Sequence, residues 1–155
     1  ARKKARVKQL VAEAFRGSDA VVDPEGLVYP DARDKANARK NKDYFLNRKA
    51  QGWWSLRTRC YKTYKWVVGK VPCQPDEIVS ISSKVPLYQK LVTELSQPTY
   101  RTNEAGKLII NKMPDGMKSP NLGDGAMMRL ARAGYARVMI SDEALARSMR
   151  PGRSR

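Results

Sequence analysis

Apolar residues recur at helical spacing in three segments of this chain. The strongest pattern covers residues 43–64, where a broad apolar face opposes a basic one and predicts a helix packed on a sheet. Further helices are predicted over residues 86–97 and over residues 120 to about 133. The apolar positions of the three segments are, in chain order, Phe45, Ala50, Trp53, Trp54, Leu56, Cys60, Tyr61 and Tyr64; Leu87, Leu91 and Leu95; and Leu122, Ala126, Met127, Leu130 and Ala131.

Other stretches predict strands and turns. Residues 99–111 contain two extended runs around an Asn-Glu-Ala-Gly turn, the pattern of a β-hairpin with Gly106 at a positive φ. Residues 78–82 carry β-branched side chains and predict a short strand. Residues 17–40 are rich in Asp, Gly, Pro and charge and predict a long surface loop. Residues 7–15 fit either an amphipathic helix or a strand, and periodicity does not decide between them.

The composition adds a strong positive charge to this pattern. The chain has 31 Lys and Arg against 15 Asp and Glu, a formal net charge of +16. Such a charge favours an acidic partner, because each neutralised phosphate releases condensed counterions, and DNA or RNA is the leading candidate. A basic protein whose charge only keeps it soluble, or a ribosomal-type component, also fits the charge. We expect no membrane partner, since no segment approaches the roughly twenty apolar residues of a membrane-spanning helix.

Several kinds of chemistry are excluded by the residue types that are absent. The chain has no histidine, which removes Ser-His, Cys-His and His-ligated metal sites within it. Cys60 and Cys73 are too few for a disulfide framework or a zinc site and fit a reducing, cytosolic setting. No glycine-rich loop for a nucleotide triphosphate is present, so an ATPase function cannot reside in these residues. Any hydrolysis must use carboxylates and hard metal ions.

One carboxylate stands out at the start of the predicted third helix. Ser119 can serve as its N-cap and Pro120 as its first residue. Asp124 follows near the edge of the apolar face, between Gly123 and Gly125, where it could reach a metal ion or a phosphate. By local chemistry alone, a solvated Asp that complements the helix dipole is the commoner case. The spacing alone does not decide between a ligand for a metal ion or phosphate and a solvated Asp.

Two segments resemble a known family of nucleases. Residues 118–128 (KSPNLGDGAMM) resemble the last acidic motif of the nuclease domain in the large terminase subunits of tailed bacteriophages, and residues 41–57 (NKDYFLNRKAQGWWSLR) resemble the helix that precedes it. The motifs occur in the family's order and are joined by a matching hairpin. The resemblance implies an α/β fold: the C-terminal portion of an RNase H-like nuclease domain, with a mixed sheet flanked by helices and a β-hairpin before the last helix.

The resemblance also implies a catalytic centre that needs two divalent metals, Mg²⁺ or Mn²⁺. Three or more acids share these metals in the family, and Asp124 is the one clear counterpart here, as a catalytic and metal-binding residue. Asp23 follows a Val-Val pair and could be a second ligand, although a turn Asp before Pro is the simpler interpretation. We expect the remaining acids, and the nucleotide-driven motor, to be encoded upstream of Ala1, so that this piece alone is inactive.

Basic residues on the same segments are candidates for contacts to DNA. Arg48, Arg57 and Arg59 form the basic face of the first predicted helix, where they could bind phosphates without reading sequence. Lys112 and Lys118 lie in the loop after the hairpin and could meet the scissile backbone or simply face water. The adjacent Trp53 and Trp54 point roughly 100 degrees apart on a helix, so one is expected in the core and the other at an edge.

The function implied by the resemblance is metal-dependent cleavage of concatemeric double-stranded DNA during viral genome packaging. Its partners would be double-stranded DNA, the portal protein, the terminase small subunit and other large subunits, in the host cytoplasm and transiently at the procapsid portal. Residues 1–141 would belong to the nuclease domain and residues 142–155 to a basic tail. The alternatives are a non-catalytic nucleic-acid-binding module, in which basic helix faces do all the binding, and a structural protein of a viral or ribosomal assembly.

Overall fold

The computed structural model describes residues 14–30 and 33–133. The predictions for residues 7–13 and for the tail at 142–155, and the domain boundary at 141, lie outside these residues. Within them, no helix is long and apolar enough to cross a membrane. The elements are helices α1 (Asn41–Tyr44), α2 (Arg48–Val67), α3 (Tyr88–Ser96) and α4 (Asn121–Ala133), strands β1 (Thr99–Thr102) and β2 (Leu108–Asn111), and 3₁₀ turns at Pro75–Glu77 and Pro114–Gly116.

Helix α2 begins five residues later than predicted and continues to Val67. The chain is extended at Phe45, which forms a parallel bridge with Leu108, and the Leu46 N–H donates to the Leu108 carbonyl at 3.1 Å. Backbone pairing with β2 therefore separates α1 from α2. Asn47 then caps α2, since its side-chain oxygen accepts a hydrogen bond from the Ala50 N–H at 3.0 Å.

Strands β1 and β2 form an antiparallel hairpin in which Thr99 pairs with Asn111 and Thr102 with Leu108. Gly106 has a φ of 73°, a conformation that glycine adopts without strain. Because Leu108 pairs with β1 on one side and with Phe45 on the other, β2 lies between them. In the described part of the chain, the sheet is thus a two-stranded antiparallel ladder with one added parallel bridge.

The core forms where α2 lies against both β2 and α4. Its members are Phe45, Ala50, Trp53, Trp54, Leu56, Leu108, Ile110 and Met127. Gly52 allows the close approach of the two helices, because a Cβ at this position would lie 2.6 Å from the Met127 sulfur. The core thus depends on Gly52 as well as on large side chains. Farther along α2 the predicted apolar face is exposed at Cys60, Tyr61 and Tyr64.

Two further predictions are corrected. The strand predicted at residues 78–82 does not form: the Val79 N–H and carbonyl bond the Thr63 hydroxyl on α2 at 2.9 and 3.2 Å, so a helix side chain replaces a neighbouring strand. The helix predicted from Pro86 begins at Tyr88, since Leu87 has a left-handed φ of 61° that cannot continue a helix.

Candidate functional site

The side chain of Asp124 is held between α2 and the end of β2. It is 14% exposed. Its Oδ1 accepts a long hydrogen bond of 3.3 Å from the Trp53 indole Nε1, and its Oδ2 accepts from the Lys112 ammonium. Asp124 is therefore not a solvated residue that only complements the helix dipole. Its charged partner in this structure is the ammonium group of Lys112.

Glu94 on α3 caps the helix that carries Asp124. Its Oε2 accepts hydrogen bonds from the N–H groups of Leu122 at 2.6 Å and Gly123 at 3.1 Å. The prediction of Ser119 as the side-chain cap is wrong, because the carboxylate of Glu94 takes that role. Glu94 is buried. The sequence feature that could have identified it is the presence of a charged residue between Leu91 and Leu95, on the apolar face of the helix. Its partner could not be read from the sequence because it lies 28 residues away.

Gly123 determines how closely Trp53 approaches α4. A Cβ at Gly123 would lie 3.0 Å from Cη2 of Trp53 and 3.3 Å from the Glu94 carbonyl oxygen. The indole can therefore lie against the first turn of the helix and reach the carboxylate. No atom would come within 4 Å of a Cβ at Gly125, so only one of the two glycines that flank Asp124 has a packing role.

The loop between β2 and α4 is fixed by one amide side chain. The Gln97 Nε2 donates to the carbonyl oxygens of Lys112 at 2.5 Å and Lys118 at 2.8 Å. This contact holds the two ends of the loop and orients the backbone of Lys112 toward Asp124. Lys118 itself is exposed, and no carboxylate in the described part of the chain pairs with it.

The hydrogen bonds and ion pair of Asp124 involve none of the three candidate arginines. Arg48 and Arg59 line a cavity of about 380 Å³ whose lining does not include Asp124. Arg57 is exposed and its guanidinium carbon lies 4.7 Å from the centroid of the Trp54 ring. Both tryptophans are buried, which corrects the expectation of one edge tryptophan, and Arg57 covers a face of Trp54. The structure thus brings Lys112 to Asp124 and places the arginines elsewhere.

The described residues contain no complete metal-binding cluster. No group of three or more Asp, Glu, Cys or His in residues 14–30 and 33–133 could hold a metal ion. Asp23 lies in the expected turn, where its carbonyl accepts from the Gly26 N–H at 3.0 Å, and it lines the cavity with Arg48 and Arg59. An Asp oxygen suits Mg²⁺ or Mn²⁺, so Asp124 fits as one ligand while the other ligands are not supplied by these residues.

Several solved structures of one viral protein are similar to this chain. The nuclease domain of the large terminase subunit gp2 of bacterial virus Sf6 matches with 33% identity and a TM-score of 0.62. A lysine-to-alanine mutant of that domain with manganese and β-thujaplicinol matches with 34% identity and a TM-score of 0.61. The same kind of mutant with calcium matches with 32% identity and a TM-score of 0.61.

Each of these matches covers 75% of this chain and 51% of the other. The chain therefore spans about half the length of the solved domains that it matches. No protein-family model and no curated protein matches the sequence.

Proposed function

We propose, from the relationship of this chain to the nuclease domain of phage large terminase subunits, that it contributes Asp124 to the catalytic centre of a metal-dependent DNA endonuclease. The observation that carries the proposal is the environment of this carboxylate: it is nearly buried, it belongs to the acidic motif, and donors from two other segments fix its orientation. A carboxylate whose direction is already fixed by the Trp53 indole loses little freedom when it binds a cation.

Lys112 provides the charge that Asp124 needs in the absence of a divalent ion. A carboxylate with little exposure is costly without a partner, and the ammonium group supplies one. Lys112 occupies Oδ2 of Asp124, so a divalent ion that bound this oxygen would have to displace the ammonium group. When bound, divalent ions in such a centre activate a water and stabilise the leaving oxygen. Trp53 and Lys112 position Asp124, and the other ligands must come from outside the described residues.

The wider role follows from the same relationship. The parent protein is proposed to cut concatemeric double-stranded DNA during packaging, with Arg48, Arg57, Arg59, Lys112 and Lys118 as contacts to the DNA backbone. The net charge of +16 supports a polyanionic partner. The portal protein, the small subunit and further large subunits complete the proposed assembly, in the host cytoplasm and at the procapsid portal.

The test is cleavage of supercoiled plasmid with Mn²⁺ or Mg²⁺ by the complete large subunit. Asp124→Asn should reduce cutting to background, because the amide has no charge to offer a cation. Asp115→Asn is the matched control: Asp115 is an exposed acid in the neighbouring loop, and Asn tolerates its left-handed φ of 54°. Full cutting by Asp124→Asn would remove Asp124 from the centre. Robust cutting by the 155 residues alone would show that the missing ligands lie within them.

A non-catalytic nucleic-acid-binding module is the second candidate. It is favoured by the Lys112–Asp124 ion pair and by the lack of an acidic cluster in residues 14–30 and 33–133. This alternative requires DNA binding that weakens with salt and does not change with divalent ions beyond their ionic strength. Asp124→Asn would then leave both binding and its metal response unchanged.

A further inference from the structure

Four aromatic side chains form a connected cluster on the side of α2 that carries Trp54. The Trp54 ring meets Tyr44 and Tyr100 edge-on, with centroids 5.6 and 5.3 Å apart, and its Nε1 donates to the Tyr29 hydroxyl at 3.2 Å. These residues, Tyr29, Tyr44, Trp54 and Tyr100, are called the aromatic cluster below. Tyr29 and Tyr100 are about half exposed, so the cluster reaches the surface.

Two arginines lie on this cluster. The guanidinium carbon of Arg57 is 4.7 Å from the Trp54 centroid and 5.9 Å from the Tyr100 centroid, and that of Arg39 is 5.7 Å from the Tyr44 centroid. Both arginines are exposed. No ion pair within residues 14–30 and 33–133 includes Arg39 or Arg57, so neither guanidinium is neutralised by a carboxylate there. Stacking on a ring occupies the face of a guanidinium and leaves its N–H edge available.

We propose that Arg57 and Arg39 form a docking surface for the phosphodiester backbone of DNA, with the aromatic cluster as their rigid support. A planar guanidinium that is already stacked loses little side-chain entropy when its N–H groups bind a phosphate. The exposed Tyr29 and Tyr100 can add hydroxyl contacts beside it. The choice of DNA as the polyanion rests on the proposed function, whereas the surface itself rests on the geometry.

Backbone contact fits this surface better than base stacking does. Trp54 is 7% exposed and Arg57 covers one face of its ring, so no base can reach that ring. Asp124 bonds Trp53 and is not a member of the aromatic cluster.

The hairpin offers a matched control for this proposal. Tyr100 pairs with the buried Ile110 and faces Trp54, whereas Arg101 pairs with Ile109 on the other face of β1. Arg101 is exposed and adjacent to Tyr100 in sequence. Removal of its charge lowers the net charge as much as removal of the Arg57 charge, but does so away from the aromatic cluster.

The experiment measures binding of the full chain to a fluorescent DNA duplex across a salt series in EDTA. Arg57→Gln should weaken binding by about eightfold at 0.1 M salt and lower the slope of log K against log salt by about 0.9, the loss of one phosphate contact. Arg39→Gln should do the same, and Arg101→Gln should change binding much less. Thermal unfolding of each variant checks that the fold is retained.

Equal effects of Arg57→Gln and Arg101→Gln, or no binding by the unmodified chain, would overturn the docking surface. If Arg57→Gln weakened binding to polyglutamate as much as binding to the duplex, the assignment to DNA would be overturned in favour of an acidic protein. If the cleavage test fails but Arg57→Gln weakens binding selectively, the proposed function is rejected and the docking surface is retained. If the cleavage test succeeds but Arg57→Gln has no selective effect, the docking surface is rejected and the proposed function is retained.

Discussion

Residues far apart in sequence determine the environment of the Asp124 carboxylate. Asp124 has one neutral donor, the Trp53 indole, and one charged donor, Lys112. The neutral bond fixes the direction of the carboxylate, and the charged bond compensates its charge. In the proposed centre, Asp124 would hold the divalent ion, and displacement of Lys112 alone would leave the contact with the indole in place.

Glu25 shows a different use of a carboxylate, on the surface of the loop before α1. Its two oxygens bond the ammonium groups of Lys40 and Lys42. Hydrogen bonds from Lys40 and then Lys42 lower the pKa of Glu25 from 4.5 to about 2. Because the pKa is lowered in the folded state, the stabilisation is complete above pH 4.5 and is lost as the pH falls toward 2.

We predict that Glu25→Gln reduces the loss of thermal stability between pH 4.5 and pH 2. The reason is that Gln has no charge to lose when the pH falls through this window. The measurement is the unfolding temperature across the pH series, at low salt because the site is fully exposed. Glu104→Gln, at an exposed position in the hairpin turn, serves as the control. An acid transition identical to that of the unmodified chain would contradict the prediction.

At the scale of elements, α3 stabilises α4 through Glu94. We predict that Glu94→Ala lowers the free energy of unfolding by about 2 kcal/mol, because two N–H groups at the start of α4 lose their acceptor. Glu94→Gln, which keeps an acceptor oxygen, should cost less. The measurement is urea unfolding. Ser119→Ala is the control, and it should be nearly neutral; a larger effect there than at Glu94 would restore Ser119 as the cap.

The two glycines of α4 give a second test of element packing. Gly123→Ala should lower the free energy of unfolding by about 1–2 kcal/mol, because its methyl group would press on Trp53 and on the Glu94 backbone. Gly125→Ala should be neutral or raise it by up to about 1 kcal/mol, since Ala favours a helix and meets no neighbour. The free energy of unfolding of both variants is measured by chemical denaturation. Equal changes at Gly123 and Gly125 would contradict the close approach of α2 to α4.

Local sequence patterns predicted several of these elements. They did not predict the features that depend on contacts between residues far apart in sequence. The spacing of apolar residues located α2, α3 and α4, and the turn residues located the hairpin. The break at Phe45 could not be predicted, because it depends on pairing with Leu108, and the cap of α4 depends on Glu94. Asp124 was found through its motif, whereas its pairing with Lys112 required the fold.

At the scale of the whole molecule, burial is uneven along α2. Its first half lies in the core, whereas Tyr61, Tyr64 and Trp66 near its end are about half exposed. Periodicity predicted one continuous apolar face because it identifies which residues share a side of a helix. It does not tell whether another element covers that side, so the extent of the core could not be derived from the sequence.

The contacts of Asp124 also bear on the order in which the chain can fold. Its partner Trp53 is 71 residues away, while Lys112 is 12 residues away. Closing the shorter loop costs less entropy, so the ion pair can form while the indole contact is still open. The oriented carboxylate exists only after the longer loop has closed. The ligand role proposed for Asp124 therefore depends on the completed fold and cannot be carried by the local segment alone.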